Sequence, residues 1–595
     1  MTDEKRKCSQ GNTGTQCAEK SFSVTLRRAC IACLAVALLW ILLALCFDFT
    51  YALNDDTALK DILSGTYTGV PEAHDIQMLY PLSFAISFLY RLIPGVPWFG
   101  VFLCLAQFGA VCVIASAVPQ YRGSAFVIAL SFLLLFSTEL VFIQYTVTSG
   151  FLMAAAMVRF YTVSGDDTSF FRHHIPEILL VVCAFMLRTE MALFLLPFFF
   201  LAVLFRWMKE NSFFSRQNVI HYVGLPMILL GCMALSVAAD RVAYGSEEWQ
   251  TFRQFFDDRT SVYDFYGIPD YEQNRAFYES IGIDETQYEL LVNYNFDLDP
   301  AIDSQAMHEI AEYAASHQEE SFGRRMYLSV YEYVYRFTHG QELCFDLLVV
   351  FGYFLLFRIA VRKREPALLG KLFLLFSLRS ALWLFLLFRG RAPERITHPL
   401  YLMELLLLAL LWQCDMPETL SRQDSPDDRA AVCRYRFAQY TMGILMGLLL
   451  ICCGAVMIRK TVDEAGRREQ INTEWQAVKQ YCRQHPDVFY YFDVYSTVAY
   501  SEKLFSDMDP SYRNFDLLGG WIAKSPLAEA KRSCMGMDTA DRALLSGQAH
   551  FITDGMRPES DVAHIVAYFK AKGIDVEPEV MGRSGSFTDY RINRL

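Results

Sequence analysis

The sequence predicts a polytopic α-helical membrane protein of about eleven spans, carrying a small extracytoplasmic α/β domain at its C-terminal end. Three observations predict it. Of 595 residues, 53% are hydrophobic, with 48 Phe and 32 Tyr, which is too apolar for an ordinary water-soluble enzyme. The charged residues, 20% of the chain, are segregated between apolar runs recurring from Ala29 to Met457. Those runs are roughly 20 residues long, the length a helix needs to cross about 30 Å of hydrocarbon. Beyond residue 461 the composition changes to alternating strand-like and helix-like segments.

Residues 1–28 form an N-terminal tail whose Lys5, Arg6, Lys7, Lys20, Arg27 and Arg28 favour the cytoplasm by the positive-inside rule. The run "ACIACLAVALLWILLALCF" reads as a first span and not a signal peptide, because it is long and no small-residue cleavage site precedes Asp48. Within the 29–460 membrane region, spans fall near 29–48, 98–118, 124–138, 140–162, 176–188, 190–207, 219–239, 343–361, 367–388, 398–414 and 438–457, with outer loops at 49–97 and 240–342. The segment "MLYPLSFAISFLYRLI", 78–93, is open to two readings, a short span or a helix lying in the outer interface. With eleven spans the inner loops collect Arg122, Arg172, Lys209, Arg216, Arg362 and Lys363, and parity places 240–342 and the tail outside. Trp98, Trp207 and Trp412 fall at span ends, as interfacial aromatics do.

The 240–342 loop holds 21 acidic residues against 7 Arg and no Lys, a net charge of −14. Such a segment excludes nucleic acid and anionic polymers as its partners and reads as a solvated, partly helical insertion. "NYNFDLDPAID" invites calcium through Asp297, Asp299 and Asp303, but lacks the Gly and twelfth-position Glu of an EF-hand. In the 461–595 domain, "EAGRREQINTEWQAVKQYCRQ" has helical periodicity and "DVFYYFDVYS" reads as a strand. "PLAEAKRSCMGMDTADRALLSG" reads as a helix closed by Gly547; "AHFITDG", "ESDVAHIVAYFKAKG" and "SFTDYRIN" follow as strand, helix and strand, giving a short, mainly parallel sheet. Most of the 16 Cys lie in spans or on the inner side; only Cys482 and Cys534 share the outer tail, where a disulfide between them is open. No P-loop, Rossmann fingerprint or H-E-x-x-H is present. An outer active site therefore needs an activated substrate delivered through the lipid.

One span, an outer loop opening with the paired acids of "NDD", juxtamembrane helices, a many-span bundle and a soluble outer C-terminal domain together resemble the GT-C type glycosyltransferases, among them the protein mannosyltransferases and the aminoarabinose transferase of lipid A. The resemblance implies a polyprenyl-phosphate-linked sugar as donor and a cell-surface glycan, lipid or protein as acceptor. It implies Asp55 as the base, the Asp55–Asp56 pair leaving open which of the two acts. Both acids also suit the first turn of a helix, where they would cap free N–H groups. Glu72 and His74 follow a turn, and in related enzymes a second acidic or His residue there holds a metal or the carrier phosphate; this chain lacks the "HPP" of the mannosyltransferases. Neither a metal nor another cofactor is legible, a divalent ion at the outer-loop acids being left open.

A phosphate leaving group needs cations, and Arg389, Arg391 and Arg395 occupy a tight outer turn against the positive-inside trend. Arg188 and Glu190 sit at another outer turn and are candidates for the same site. Arg379 and Glu404, at matching depth on the helices flanking the arginine turn, are expected to form a structural ion pair. The rival functional class is a transporter or flippase for a lipid-linked sugar, which predicts internal repeats and broken midplane helices that the sequence does not display. Trp521 in "LLGGWIAKSP" is open to a carbohydrate-facing or a buried role.

Overall fold

The structure, a computed structural model, describes residues 27–117, 124–163, 169–318, 321–340, 342–414, 426–506, 513–555 and 561–595. The chain opens with helix α1 (Arg27–Cys46), then β1 (Thr50–Tyr51), α2 (Asn54–Ser64), α3 (Tyr80–Leu92), α4 (Trp98–Ala117) and α5 (Ser124–Val141). After β2 (Phe142–Ile143) come α6 (Tyr145–Thr162), α7 (Phe170–His173), α8 (Ile175–Leu187), α9 (Thr189–Trp207) and α10 (Arg216–Ala243). The insertion follows as α11 (Glu247–Ser261), α12 (Arg275–Ser280), α13 (Glu285–Val292), α14 (Ser304–Ser316) and α15 (Phe322–His339). The chain re-enters the bundle with α16 (Leu343–Lys363), α17 (Pro366–Phe388), α18 (Glu394–Cys414) and α19 (Pro426–Gln484). The tail is β3 (Phe489–Phe492), β4 (Phe515–Leu517), α20 (Pro526–Cys534), α21 (Ala540–Leu545), β5 (Ala549–Thr553), α22 (Ala563–Ala571), β6 (Val576–Ser584) and β7 (Phe587–Arg594).

Eight helices, α1, α4, α9, α10, α16, α17, α18 and α19, are long and apolar enough to cross a membrane, and α5 and α8 are shorter apolar helices. The chain is a polytopic helical membrane protein. Its central helix is α6, buried along nearly its whole length and packed on α4, α8, α9 and α18. Gly150 permits a close crossing of α6 and α18, since a Cβ there would fall 2.4 Å from Cβ of Pro399. Segment 78–93 becomes α3, whose 13 residues extend only about 20 Å, short of the hydrocarbon thickness.

The tail departs from expectation in three ways. The span at 438–457 and the first tail helix are one continuous helix, α19, so the expected boundary at 460/461 falls inside it; no proline interrupts the helix-forming residues between Met457 and Gln484. The sheet, in order β4-β3-β5-β7-β6, is mixed: β4, β3 and β5 run parallel, while β5/β7 and β7/β6 are antiparallel. The helix expected over 526–547 breaks at Gly536 into α20 and α21. Cys482 is buried, Cys534 exposed, and both are free, so the disulfide is not formed.

The insertion is no loose solvated loop. Its Phe252, Phe255, Leu290, Phe296 and Ile310 share one apolar core with Phe489, Tyr491, Leu518, Phe551 and Ile565 of the tail. Asp297 pairs with Arg532 (2.8 Å), Asp299 with Lys572 (3.2 Å), and Asp303 caps α14 by accepting from the Ala306 N–H (2.9 Å). These carboxylates are spent on cations and a helix end, which overturns the calcium reading.

Candidate functional site

The site begins with a short parallel pairing. Thr50–Tyr51 runs beside Phe142–Ile143, which brings the start of α2 against the start of α6. Asp56 locks the two together: one carboxylate oxygen accepts from the Leu53 N–H (3.2 Å) and the other from the Tyr145 N–H (3.0 Å). Burial pushes this carboxyl up to about 8, against the pull of the Tyr145 amide. Asp56 is therefore a helix-end clamp and does not line the site; of the acidic pair only Asp55 faces the cavity.

That cavity, about 950 Å³, lies where the bundle, the insertion and the tail meet. Asn54, Asp55 and Ala58 of α2 form one wall, and Arg389, Arg391 and Arg395 of the α17–α18 turn form another. Arg188 and Glu190 enter from the α8–α9 turn, Asp257, Arg259 and Asp264 from the insertion, and Arg513, Trp521 and Lys531 from the tail. Toward the bundle the lining turns apolar, with Leu193, Phe194 and Pro197 of α9 facing Leu382, Phe385 and Leu386 of α17. Asp55, from the loop after α1, and the arginine turn, more than 330 positions apart, share one chamber.

Within it the charges differ in how they are engaged. The Trp521 indole N–H donates to Asp55 Oδ1 (3.0 Å), while Asp55 Oδ2 has no partner among the described residues. Arg188 donates to Gln77 Oε1 (2.5 Å) and pairs with Glu190 (3.0 Å). Arg391 pairs with Asp264 (2.5 Å), and Arg389 lies 4.5 Å over the Phe265 ring. Arg395, half-buried, makes no hydrogen bond or ion pair with a described residue. A guanidinium that feels the Asp56 carboxyl but bonds to no carboxylate, in a partly dry chamber, suits an anionic ligand.

Trp521 owes its position to its two glycines. A Cβ on Gly519 would lie 1.8 Å from the Tyr294 carbonyl oxygen, so only glycine lets the tail pass over the insertion, and Gly520 turns the chain with φ +87°. Beneath, a buried charge cluster welds α2 to the tail. Lys60 meets Glu502 (2.5 Å) and Asp61 (2.8 Å), Arg513 meets Asp61 (2.5 Å) and Glu502 (3.5 Å), and Lys479 also meets Glu502. Tyr67 donates to Asp516 (2.7 Å) on the same seam.

Glu72 and His74 do not reach the cavity. Glu72 Oε1 is 2.7 Å from His74 Nδ1, and the imidazole is stacked on Trp249 and flanked by Tyr80 and Tyr244, so the pair ties the first loop to the insertion. Partners outweigh burial and hold the Glu72 carboxyl below its usual range. Arg379 and Glu404 face each other deep in the bundle (2.9 Å), with Asp346 as a third member (3.1 Å) and Tyr333, Tyr353 and Tyr401 hydrogen-bonded around them. Asp346 went unread because it sits in the first turn of an apolar run, where an acid is ordinary. Asp257, Asp264, Arg513 and Lys531 carry no motif and are functional candidates only through tertiary placement. Among the described residues no group of three or more His, Cys, Asp or Glu side chains is gathered for a metal ion.

Fold and site together define a polytopic helical membrane protein whose insertion and tail domain enclose a charged cavity over an apolar cleft in the bundle. Comparison with known proteins finds no matching family model, no matching curated protein and no matching solved structure.

Proposed function

We propose that the protein is a membrane glycosyltransferase that moves a sugar from a polyprenyl-phosphate carrier to a cell-surface acceptor at the outer membrane face. The observation that carries this reading is the cavity's layering: Asp55 with an open carboxylate oxygen, Arg395 with an open guanidinium, and an apolar wall on α9 and α17. A lipid chain fits the apolar wall, its phosphate fits Arg395 with Arg391 and Arg188 nearby, and the sugar lies toward Asp55. The acceptor hydroxyl oxygen bonds to the sugar C1 as the C1–phosphate bond breaks and the phosphate leaves with its electron pair. The hydroxyl proton passes to Asp55. A single displacement of this kind inverts the anomeric carbon.

Eleven crossings with a cytoplasmic N-terminus suit the same reading. The first loop, the insertion and the tail touch one another, so they share one side of the membrane, and the number of crossings between any two must be even. Four long helices, α16 to α19, separate insertion from tail. Between the first loop and the insertion lie α4, α9 and α10, so an odd number of α5, α6 and α8 must also cross; counting all three makes eleven. The test is Asp55→Asn. The expected result is loss of sugar transfer by about 10²–10⁴-fold, with the copurifying polyprenyl-phosphate lipid still found by mass spectrometry. Unchanged transfer by Asp55→Asn, or only bulk phospholipid bound, refutes the assignment; retained lipid flipping without any transferase activity in the parent marks a transporter.

A further inference from the structure

The charge count places all of 240–342 in water, yet its last helix has the surface of a lipid-bathed one. One face of α15 is fitted to the bundle: Arg325 donates to the Phe388 carbonyl (2.9 Å), Tyr333 and Ser380 hydroxyls are 2.8 Å apart, and Arg379 donates to Tyr333 (2.7 Å). The charged side chains beyond the first turn, Glu332 and Arg336, pair with each other (3.1 Å), and Arg336 turns inward over Trp383. The opposite face is bare. Tyr327 is 68% exposed, Tyr331 56% and Val334 61%, with Val330 and Tyr335 exposed beside them, a stripe at helical spacing that carries no charge from Tyr327 to Tyr335, the exposed Arg324 standing at its N-terminal end. α15 lies along α17, a helix long and apolar enough to cross a membrane, whose Phe373 and Phe376 are exposed.

We propose that α15 is embedded in the lipid leaflet at the cavity end of the bundle, its aromatic and aliphatic stripe against acyl chains. Water is the costly solvent for such a face, and a row of Tyr with apolar bodies and polar tips is the composition that settles at a membrane interface. The membrane is the occupant because α15 lies along the membrane-length helix α17, its Tyr333 meeting Arg379 nine residues inside the end of α17 at Phe388, and because the stripe from Tyr327 to Tyr335 has no charge for a protein to read. The insertion is thereby anchored beside the cavity along its own last helix, and not merely tethered through α10 and α16.

The test uses the full chain in lipid nanodiscs with a genetically encoded fluorescent residue replacing Tyr331, Val334 or, as a water-facing control, Glu312, whose side chain is 74% exposed. All three are surface positions, so the fold tolerates the label. At 331 and 334, doxyl-labelled lipid should quench roughly twofold or more while an aqueous nickel chelate does little, and at 312 the order should reverse. Quenching of 331 and 334 by the chelate, as at 312, overturns the proposal. Protection from both quenchers also overturns it, because the face is then covered by protein, a second copy included.

Discussion

Replacing Glu502 by Gln tests whether the tail is welded to α2 by charge. Glu502 is 3% exposed and sits among Lys60 at 2.5 Å, Arg513 at 3.5 Å and Lys479, with Asp61 the only other carboxylate in the cluster. At an effective dielectric of about 20, a contact near 3.5 Å is worth ~5 kcal/mol of attraction, most of it offset by desolvation. The substitution leaves three buried cations facing one carboxylate, and removing one partner of a buried pair costs about 3–5 kcal/mol. For a unit the size of the tail that is a fall of about 10 °C in its melting transition, read by thermal denaturation in nanodiscs. Acid adds a second readout. Burial raises the Glu502 carboxyl, but Lys60, Arg513 and Lys479 outweigh it and hold it well below its usual range. A depressed folded-state carboxyl contributes stability that is present above its unfolded value of 4.5 and lost as pH falls below it toward the folded value. The parent should therefore weaken below about pH 4.5, and Glu502→Gln should lack that component. A variant melting within about 2 °C of the parent, with the same acid slope, would refute the weld.

Other outcomes follow from single contacts. Trp521→Phe removes the N–H that orients Asp55 and keeps the ring's bulk, so transfer should fall about tenfold with melting unchanged; equal activity would show that the contact does not position the carboxylate. Gly519→Ala drives a methyl into the Tyr294 carbonyl and should destabilise the tail by ~1–3 kcal/mol, whereas a neutral effect would mean the turn has room to move. Lys531 is 1% exposed, and burial pulls its ammonium down to about 8. Between that value and 10.5 the unfolded chain holds a proton the folded one lacks, so stability should rise with pH from 8 to 9.5. Lys531→Met should flatten that slope, as read by melting curves at the two pH values.

Much of the architecture is legible in residue order because the membrane imposes one simple demand, about 20 apolar residues per crossing. Of the helices that fall short of this demand, α6 is shielded by its neighbours along nearly its whole length, whereas α5 and α8 are apolar but short. The arginine turn was legible too, since three cations in a tight turn between two apolar helices stand out from their surroundings. Asp55 and Asp56 were not separable in sequence: which of two adjacent acids points into a chamber depends on the backbone amide of Tyr145, 89 residues away. Glu72 and His74 looked like ligands, and aromatic neighbours from the insertion made them a joint.

The sequence by itself determined a membrane-embedded helical chain, its polar excursions and the unusual arginines, because hydropathy and charge act locally and add along the chain. Tertiary structure alone decided that insertion and tail share one core and that Asp55, Arg395 and Trp521 line one cavity. Those facts are contacts between residues hundreds of positions apart, set by packing and desolvation, and no local pattern of residues encodes which distant partner a side chain will find.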